Sequence, residues 1–324
     1  MKKIFVTGGA GYIGSVCTEA LLNDGYKVIV FDNLSEGHAD AVDPRAELIE
    51  GDLLDHQLIS KKMVKVKPDA VIHFAGKALV PESMSDPGLY YRVNVQGGVN
   101  LLDAMKAAGC QKIVFSSTCA TYGLPEKMPM DERTPQKPIN PYGHSKLVFE
   151  QILAWYAQLF EFNYIALRYF NAAGASKKFG EHHRVETHLI PNVLKVAQGK
   201  SDFVQVFGDS HATPDGTCIR DYIHVLDLAS AHIAALDYSR SGHFNLGTGQ
   251  GHSVLQVIEA ARKVTGHEIP IKMKPARAGD PPSLVAAPHR LKMEMEWKAK
   301  YLKITDIVES AWDWHEANPE GYSD

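Results

Sequence analysis

Tyr142 and Lys146 stand four residues apart in the stretch Tyr142-Gly-His-Ser-Lys146. Asn140 ahead of them suits a helix N-cap and Pro141 the first helical position. The spacing therefore predicts that both side chains share one face of a helix. A phenol has a reference pKa of about 10, so it acts as a base near neutrality only if its anion is stabilised. A neighbouring ammonium can do that, and a shift of roughly three units corresponds to about 4 kcal/mol. Tyr-x-x-x-Lys alone is a common pair on helix surfaces. Here a hydroxyl cluster precedes it, Ser116-Ser117-Thr118-Cys119-Ala120-Thr121, directly after the apolar run 112–116. Thr118 is the candidate to hydrogen-bond a reacting alcohol or carbonyl, while Ser117 and Thr121 suit turn backbone.

A second constellation lies at the N-terminus. Gly8, Gly11 and Gly14 follow a short strand-like run, 3–7, and precede a helical pattern over 12–23. A pyrophosphate needs a tight turn, close backbone approach and free N–H groups at a helix start. Asp32 ends the next β-branched run, 18 residues after Gly14, where a carboxylate accepts from the adenosine ribose hydroxyls and repels a 2′-phosphate. The expected cofactor is NAD rather than NADP, and the positive charge of its oxidised nicotinamide also favours the phenolate.

The elements that must position these groups alternate. Strand-like runs at 3–7, 27–31, 47–50, 69–74, 112–116 and 164–169 are interleaved with helical patterns at 12–23, 59–66, 89–108 and 142–159. This is the β-α-β rhythm of an α/β protein with a doubly wound, mainly parallel Rossmann-type sheet. We expect residues 1–170 to form the dinucleotide-binding domain. Residues 171–324 should form a smaller substrate-binding lobe, with the segment near 221–250 returning to the large sheet. After Asn171 the rhythm weakens, with a polar loop at 173–184 and short runs at 203–207, 221–225, 243–246 and 269–273. The segment 274–288 reads as an ordered loop rich in proline, glycine and small residues.

Composition excludes several classes. With 34 basic and 38 acidic side chains the net charge is −4, so no field attracts nucleic acid or an anionic membrane. No apolar stretch is long enough to span a bilayer, and the N-terminus lacks the apolar region of a signal peptide. The four cysteines have neither disulfide-framework nor zinc spacing, which fits reduced thiols in a cytoplasm.

Taken together, the TGGxGYIG loop, the Tyr-x-x-x-Lys pair and the upstream hydroxyl resemble the extended short-chain dehydrogenase/reductase family. Further stretches resemble its UDP-glucose 4-epimerase members: VIVFDNL (28–34), VIHFAG (71–76), FSSTCATYG (115–123), PYGHSK (141–146), LRYFNA (167–172), GTCIRDYIHVLD (216–227) and HFNLGTG (243–249). The likeness runs along essentially the whole chain. It implies a pyrophosphate loop of Gly8, Gly11, Tyr12, Ile13 and Gly14, ribose contacts from Asp32 and Asn33, and an adenine-side turn at Asp52 and Leu53. It implies that Phe74, Ala75, Gly76 and Asn94 line the NAD cleft, with Phe170 and Asn171 where nicotinamide and nucleotide-sugar meet. Arg220, Arg277 and Asp280 would contact UDP, arginine being suited to a diphosphate by its planar donor fork. Thr118, Tyr142 and Lys146 would be the catalytic hydroxyl, base and lysine.

The implied reaction belongs to galactose metabolism. Tyr142 takes the proton of the sugar 4′-hydroxyl as hydride leaves C4′ for NAD, the keto sugar turns about its diphosphate linkage, and hydride and proton return to the opposite face. A homodimer through the helices near 89–108 and 142–159 is also implied. Four positions depart from the family pattern. Ala78 replaces a usual lysine, with Lys77 one place away as a substitute cofactor contact. His188 stands where many members carry asparagine, and could still donate to the sugar or diphosphate. Leu284 is intermediate in size at a position thought to set tolerance for N-acetylated sugars, and Ala286-Ala287-Pro288 departs from an Ala-Asp pattern.

Other groups carry plainer readings. His182, His183 and His188 read as solvated loop residues with no metal, because no zinc-ligand spacing surrounds them. His73 reads as a core residue, Cys119 as a small filler, and Trp297, Trp312 and Trp314 as packing. Among competing functions, a 4,6-dehydratase needs an acidic group where Cys119-Ala120 stand, and a UDP-glucuronate decarboxylase needs a carboxylate pocket. A 4-epimerase for UDP-GlcNAc or UDP-xylose, or a non-catalytic NAD sensor on the same fold, is the remaining alternative.

Overall fold

The computed structural model describes residues 1–277 and 280–323. Its strands are β1 (Lys3–Thr7), β2 (Lys27–Asp32), β3 (Glu47–Glu50), β4 (Ala70–His73), β5 (Lys112–Thr118), β6 (Asn163–Tyr169), β7 (Asn171–Ala173), β8 (Val204–Phe207), β9 (Ile219–His224), β10 (Gly242–Leu246), β11 (Gly251–Ser253), β12 (Ile271–Lys274) and β13 (Ser283–Leu284). The helices are α1 (Tyr12–Asn23), α2 (His56–Val66), α3 (Val80–Ser85), α4 (Pro87–Tyr90), α5 (Gly97–Ala108), α6 (Pro141–Phe160), α7 (Leu189–Ala197), α8 (Val225–Asp237), α9 (Val254–Thr265), α10 (His289–Met295) and α11 (Ile304–Ala317).

Seven strands form one sheet in the order β10-β6-β5-β4-β1-β2-β3, every pair parallel. The central strands are apolar on both faces because alternate residues feed two cores, whereas the edge strand β3 buries only Ile49. Ile4, Val6, Val28, Val30, Ile72, Val114, Ile165 and Leu167 face α1 and α8. Phe5, Ile29, Phe31, Val71, Ile113, Phe115 and Ala166 face α2, α5 and α6. The strand order reverses between β1 and β4, and a crevice for ligand opens beyond the carboxyl ends of strands at such a point. The doubly wound sheet expected from the sequence is therefore present.

β10 pairs with β6 along His243↔Ala166 and Phe244↔Leu167, so a late segment forms an edge of the large sheet. The remaining C-terminal elements have their own core, built from α7, α9, α11, β8 and β12 around Val193, Val257, Ile258, Val308 and Trp312. A small sheet with β9 at its centre joins β7, β11 and β13. The expected loop 173–184 thus begins as the end of β7. The stretch 274–288 contains β13 and a bridge from Ala286 to Met130, while residues 278 and 279 of it lie outside the described residues.

One helix departs from expectation. The pattern over 89–108 predicts a continuous helix, but residues 91–96 form a wider π turn between α4 and α5. Hydrophobic period alone cannot register this insertion. The cause is a polar clasp: Asn94 accepts from Lys77 N–H at 2.8 Å and donates to Lys77 O at 3.0 Å and Ser145 Oγ at 2.9 Å. π turns of this kind gather at functional sites, and this one faces the strand ends of the crevice.

Candidate active site

The glycine loop leaves β1 with Gly8 N–H bonded to Phe31 O at 3.0 Å, and α1 begins with Gly11 as its N-cap. Its glycines have different reasons. Gly8 has φ +73°, and a Cβ there would lie 2.4 Å from Ala75 N. One on Gly14 would lie 2.1 Å from Gly8 O, so both glycines are required by the protein's own packing. A Cβ on Gly11 would meet only Gly8 O, at an ordinary 3.5 Å. Only at Gly11 does the missing side chain leave free space, a cradle at a helix N-terminus fitted to a pyrophosphate.

Gly11→Ala is therefore expected to fold with a stability change below about 1 kcal/mol, yet to lose NAD affinity by about tenfold or more. Urea unfolding and the NAD content of the purified variant check this; retention of wild-type NAD content would remove the cradle from the account.

Asp32 ends β2 beside the glycine loop. It accepts from Ala10 N–H at 3.0 Å and Leu34 N–H at 2.9 Å, leaving lone pairs on each oxygen. Burial raises its pKa, and those N–H groups partly offset the rise. Asn33 donates to Asp52 at 2.8 Å, beside the buried Leu53, so the turns after β2 and β3 form one unit. Lys77 pairs with Glu36, reaching across the crevice from the β4 loop to the β2 loop. Phe74 packs on His232 with centroids 4.8 Å apart. A Cβ on Gly76 would lie 2.8 Å from Asn94 Oδ1 and 3.5 Å from Lys146 Nζ, so the lysine, the asparagine and this turn occupy one corner.

Tyr142 is positioned by its own helix start. Asn140 caps α6 by accepting from Gly143 N–H at 2.8 Å, with Pro141 in the first turn, as the sequence predicts. A Cβ on Gly143 would lie 2.5 Å from Ala120 O, so a glycine is what lets the first turn of α6 press against the end of β5. That contact sets Tyr142 beside the Thr118 hydroxyl, whose proximity favours the phenolate. Thr118 Oγ1 also accepts from Ala120 N–H at 3.1 Å, which fixes its rotamer.

Lys146 shares the α6 face with Tyr142, and its ammonium donates to Ser116 O at 3.0 Å. Burial pushes Tyr142 up to about 12, with the Thr118 hydroxyl working against it, and burial pulls Lys146 down to about 8. A cationic ring in the crevice would favour the phenolate.

On the substrate side, Leu284 packs into a small cluster with Cys119, Tyr122, Met130 and Phe170, next to Thr118. Arg220 lies opposite Leu284 in the β9–β13 register. Its fork donates to Asp280 and, at 2.8 Å, to both Pro281 O and Ile219 O. Asp280 is therefore the partner that aims Arg220. Arg277 is exposed, its guanidinium 4.1 Å from the centre of the Phe207 ring. Asn171 sits half-buried on β7, paired with Tyr222. His188 is not gathered with this set. It is 3.0 Å from Glu181 and 2.9 Å from Glu186, next to His183. Burial lowers its pKa, but these carboxylates override that and hold it at about 10. His188 is exposed and His182 and His183 half-exposed, but His183 and His188 do have carboxylate partners, Glu181 and Glu186, both readable in the sequence.

Some plainer readings hold. His73 is buried, 2.7 Å from Thr7 Oγ1, and burial pulls it to about 3. Cys119 is buried with its thiol pushed up to about 12, and the three tryptophans are packed. Thr121 does satisfy backbone, donating to Thr118 O at 3.0 Å. Ser117 does not: it donates to the buried Glu150 at 2.5 Å. Sequence reasoning also missed Asp221, which accepts from Thr248 N–H, Thr248 Oγ1, Gly249 N–H and Ala286 N–H, and so ties β9 to the loops around the substrate side. Ala286, whose position departs from the family pattern, is one of its donors.

Residues 4–247 match the NAD dependent epimerase/dehydratase family. The chain belongs to this family. Among its relatives within the family, the UDP-glucose 4-epimerase of Lacticaseibacillus casei is 49% identical, with 99% of each chain covered. The epimerase/dehydratase fold is shared closely with solved structures. UDP-glucose 4-epimerase from Brucella ovis in complex with NAD superposes with a TM-score of 0.94 at 45% identity, over 96% of this chain and 98% of that one. The Bifidobacterium longum enzyme in complex with NAD+ and UDP gives 0.94 at 41% identity, over 99% and 100%.

Proposed function

We propose that this protein is a UDP-glucose 4-epimerase, interconverting UDP-galactose and UDP-glucose in galactose metabolism with NAD as its resident cofactor. The observation that carries this is the placing of Tyr142 beside Thr118 at the end of β5, in the crevice that the glycine loop and Lys146 also border. Gly8, Gly11, Tyr12, Ile13 and Gly14 would hold the pyrophosphate. Asp32, Asn33, Asp52 and Leu53 would hold the adenosine, and Phe74–Lys77, Asn94, Lys146 and Phe170 the nicotinamide half. When bound, NAD accepts hydride from C4 of the sugar and gives it back to the other face.

The chain's own residues manage the proton and the sugar. Tyr142 takes the proton from the 4-hydroxyl and returns it, and Thr118 keeps the phenol and that hydroxyl aligned. Lys146 stays charged when a ribose hydroxyl or the phenolate comes within its reach. UDP is held by Arg220, aimed by Asp280, with Arg277 and Asn171 as further contacts. The hexose meets the Leu284–Phe170–Cys119 cluster, which has no charged side chain and leaves it free to turn.

Residues 1–170 are read as the NAD domain and 171–324 as the UDP-sugar lobe. The protein is placed in the cytoplasm, a reading supported by four buried free thiols. No helix among the described residues is long and apolar enough to cross a membrane. A homodimer through α5 and α6 is supported by Trp155 and Leu159, one turn apart on α6 and 60% and 61% exposed. Changing both to glutamate is expected to halve the mass seen by light scattering; an unchanged mass would move the interface elsewhere.

The direct test of the function is conversion of UDP-galactose by purified protein with no NAD added, with UDP-GlcNAc and UDP-xylose as further substrates. Turnover of UDP-galactose supports the reading. Failure on it even with NAD supplied would overturn it.

A further inference from the structure

Away from the crevice's reacting centre, the described residues bring four metal-type donors together. Glu181, His183, Glu186 and His188 place their ligand atoms within 4.8 Å of one another. His188 Nδ1 lies 3.0 Å from Glu181 Oε1 and 2.9 Å from Glu186 Oε1, and His183 Nε2 lies 3.1 Å from Glu181 Oε1. We propose that these four side chains form a binding site for a divalent transition-metal ion, Zn²⁺ above all.

The donor chemistry selects the metal class. Two imidazole nitrogens and two carboxylates without a thiolate suit Zn²⁺, Co²⁺ or Ni²⁺, whereas Mg²⁺ and Ca²⁺ prefer all-oxygen sets. Zinc bonds of about 2.0–2.2 Å put tetrahedral ligands roughly 3.3–3.6 Å apart. The close pairs are already near that spacing, and the widest must close by about 1.2–1.5 Å. Ligation displaces the proton that the carboxylates hold on His188, and the dication takes its place against two negative charges.

The frame holding the donors is ordered. Glu181 is buried. His183 stands edge-on to Tyr12, whose hydroxyl donates to Gly174 O at 2.5 Å. His188 is the N-cap residue of α7, its own N–H donating to Glu186 at 2.7 Å. Arg184 reaches Leu34 O and Gly37 O at 3.4 and 3.3 Å, and His38 stacks on His182. The segment therefore spans from the first residue of α1 to the loop after β2. A bound ion cross-links it over the dinucleotide loop and also occupies His188, taking it from any role toward the diphosphate.

Untagged full-length protein, stripped with chelator and returned to metal-free buffer, is titrated with Co²⁺ and then Zn²⁺. The expected result is one equivalent of Co²⁺ per chain with the intense visible bands of a tetrahedral site, bleached by Zn²⁺, and a raised Tm with either ion. His183→Gln and Glu186→Gln, each close in shape to the residue it replaces, should each weaken Co²⁺ binding at least tenfold with folding unchanged by circular dichroism. Absence of stoichiometric binding, or binding undiminished in both variants, overturns the proposal.

Discussion

Replacing Tyr142 with phenylalanine is expected to lower kcat for UDP-galactose by about 10²–10⁴-fold, the contribution of one positioned acid–base group. Thr118 is held by Ala120 N–H independently of the phenol, so the fold and the retention of NAD should be unchanged. Cofactor content after purification and the unfolding midpoint provide the controls. A non-catalytic sensor on this fold would keep its NAD-dependent behaviour without the phenol, so the variant separates the two functions. If kcat fell by less than tenfold, the proton would have to leave by another group, and Tyr142 could not be the base. Because burial alone sends the phenol to about 12, an increase in its acidity must come with cofactor binding. The tyrosine absorbance of the NAD-loaded protein should then titrate at lower pH than that of the stripped protein.

The largest loss of stability is expected at Arg168, opposite Ser117 in the β5–β6 register. Arg168 on β6 and Glu150 on α6 are 1% and 3% exposed and meet through two bonds, Nε–Oε1 at 3.0 Å and Nη2–Oε2 at 2.6 Å. Burial alone raises a carboxyl, but the Arg168 bonds and charge reverse this and hold Glu150 below the usual carboxylate range. Ser117 donates to Glu150, Arg168 donates to Tyr122 OH at 2.8 Å, and Tyr122 donates to Asn245 at 2.6 Å, so the network spans β5, α6, β6 and β10. Arg168→Met leaves Glu150 as an uncompensated buried charge and should cost about 3–5 kcal/mol. Arg168→Met with Glu150→Leu removes the charge as well and should recover much of that loss. Urea unfolding of the two single variants, the pair and the parent forms the cycle. A double variant no better than Arg168→Met would show that the hydrogen-bond geometry, not the stranded charge, is what the site supplies.

How far the chain could be read before folding depended on whether the partners were near in sequence. The large sheet was readable because its strands are short, doubly apolar and separated by helices, as with Ile4-Phe5-Val6 and Val28 to Phe31. The start of α6 was readable because Asn140, Pro141 and Gly143 act within one turn. The π turn at 91–96 was not, since its cause is Asn94 clasping Lys77 in a different loop. Nor was the Glu150–Arg168 network, whose members lie on separate elements with no local spacing to mark them. The i, i+4 relation of Tyr142 and Lys146 correctly placed both on one face, yet it could not show that the ammonium is drawn to Ser116 O. Around His183 and His188 the signal was available, because Glu181 and Glu186 interleave with the histidines.

The central claim, inversion at C4 by hydride that never leaves the site, is tested most directly with UDP-galactose carrying deuterium at C4. The purified protein, given no added NAD, should yield UDP-glucose that keeps the deuterium at C4, read by mass spectrometry and proton NMR. Exchange of that deuterium with water, or no conversion at all, would contradict it.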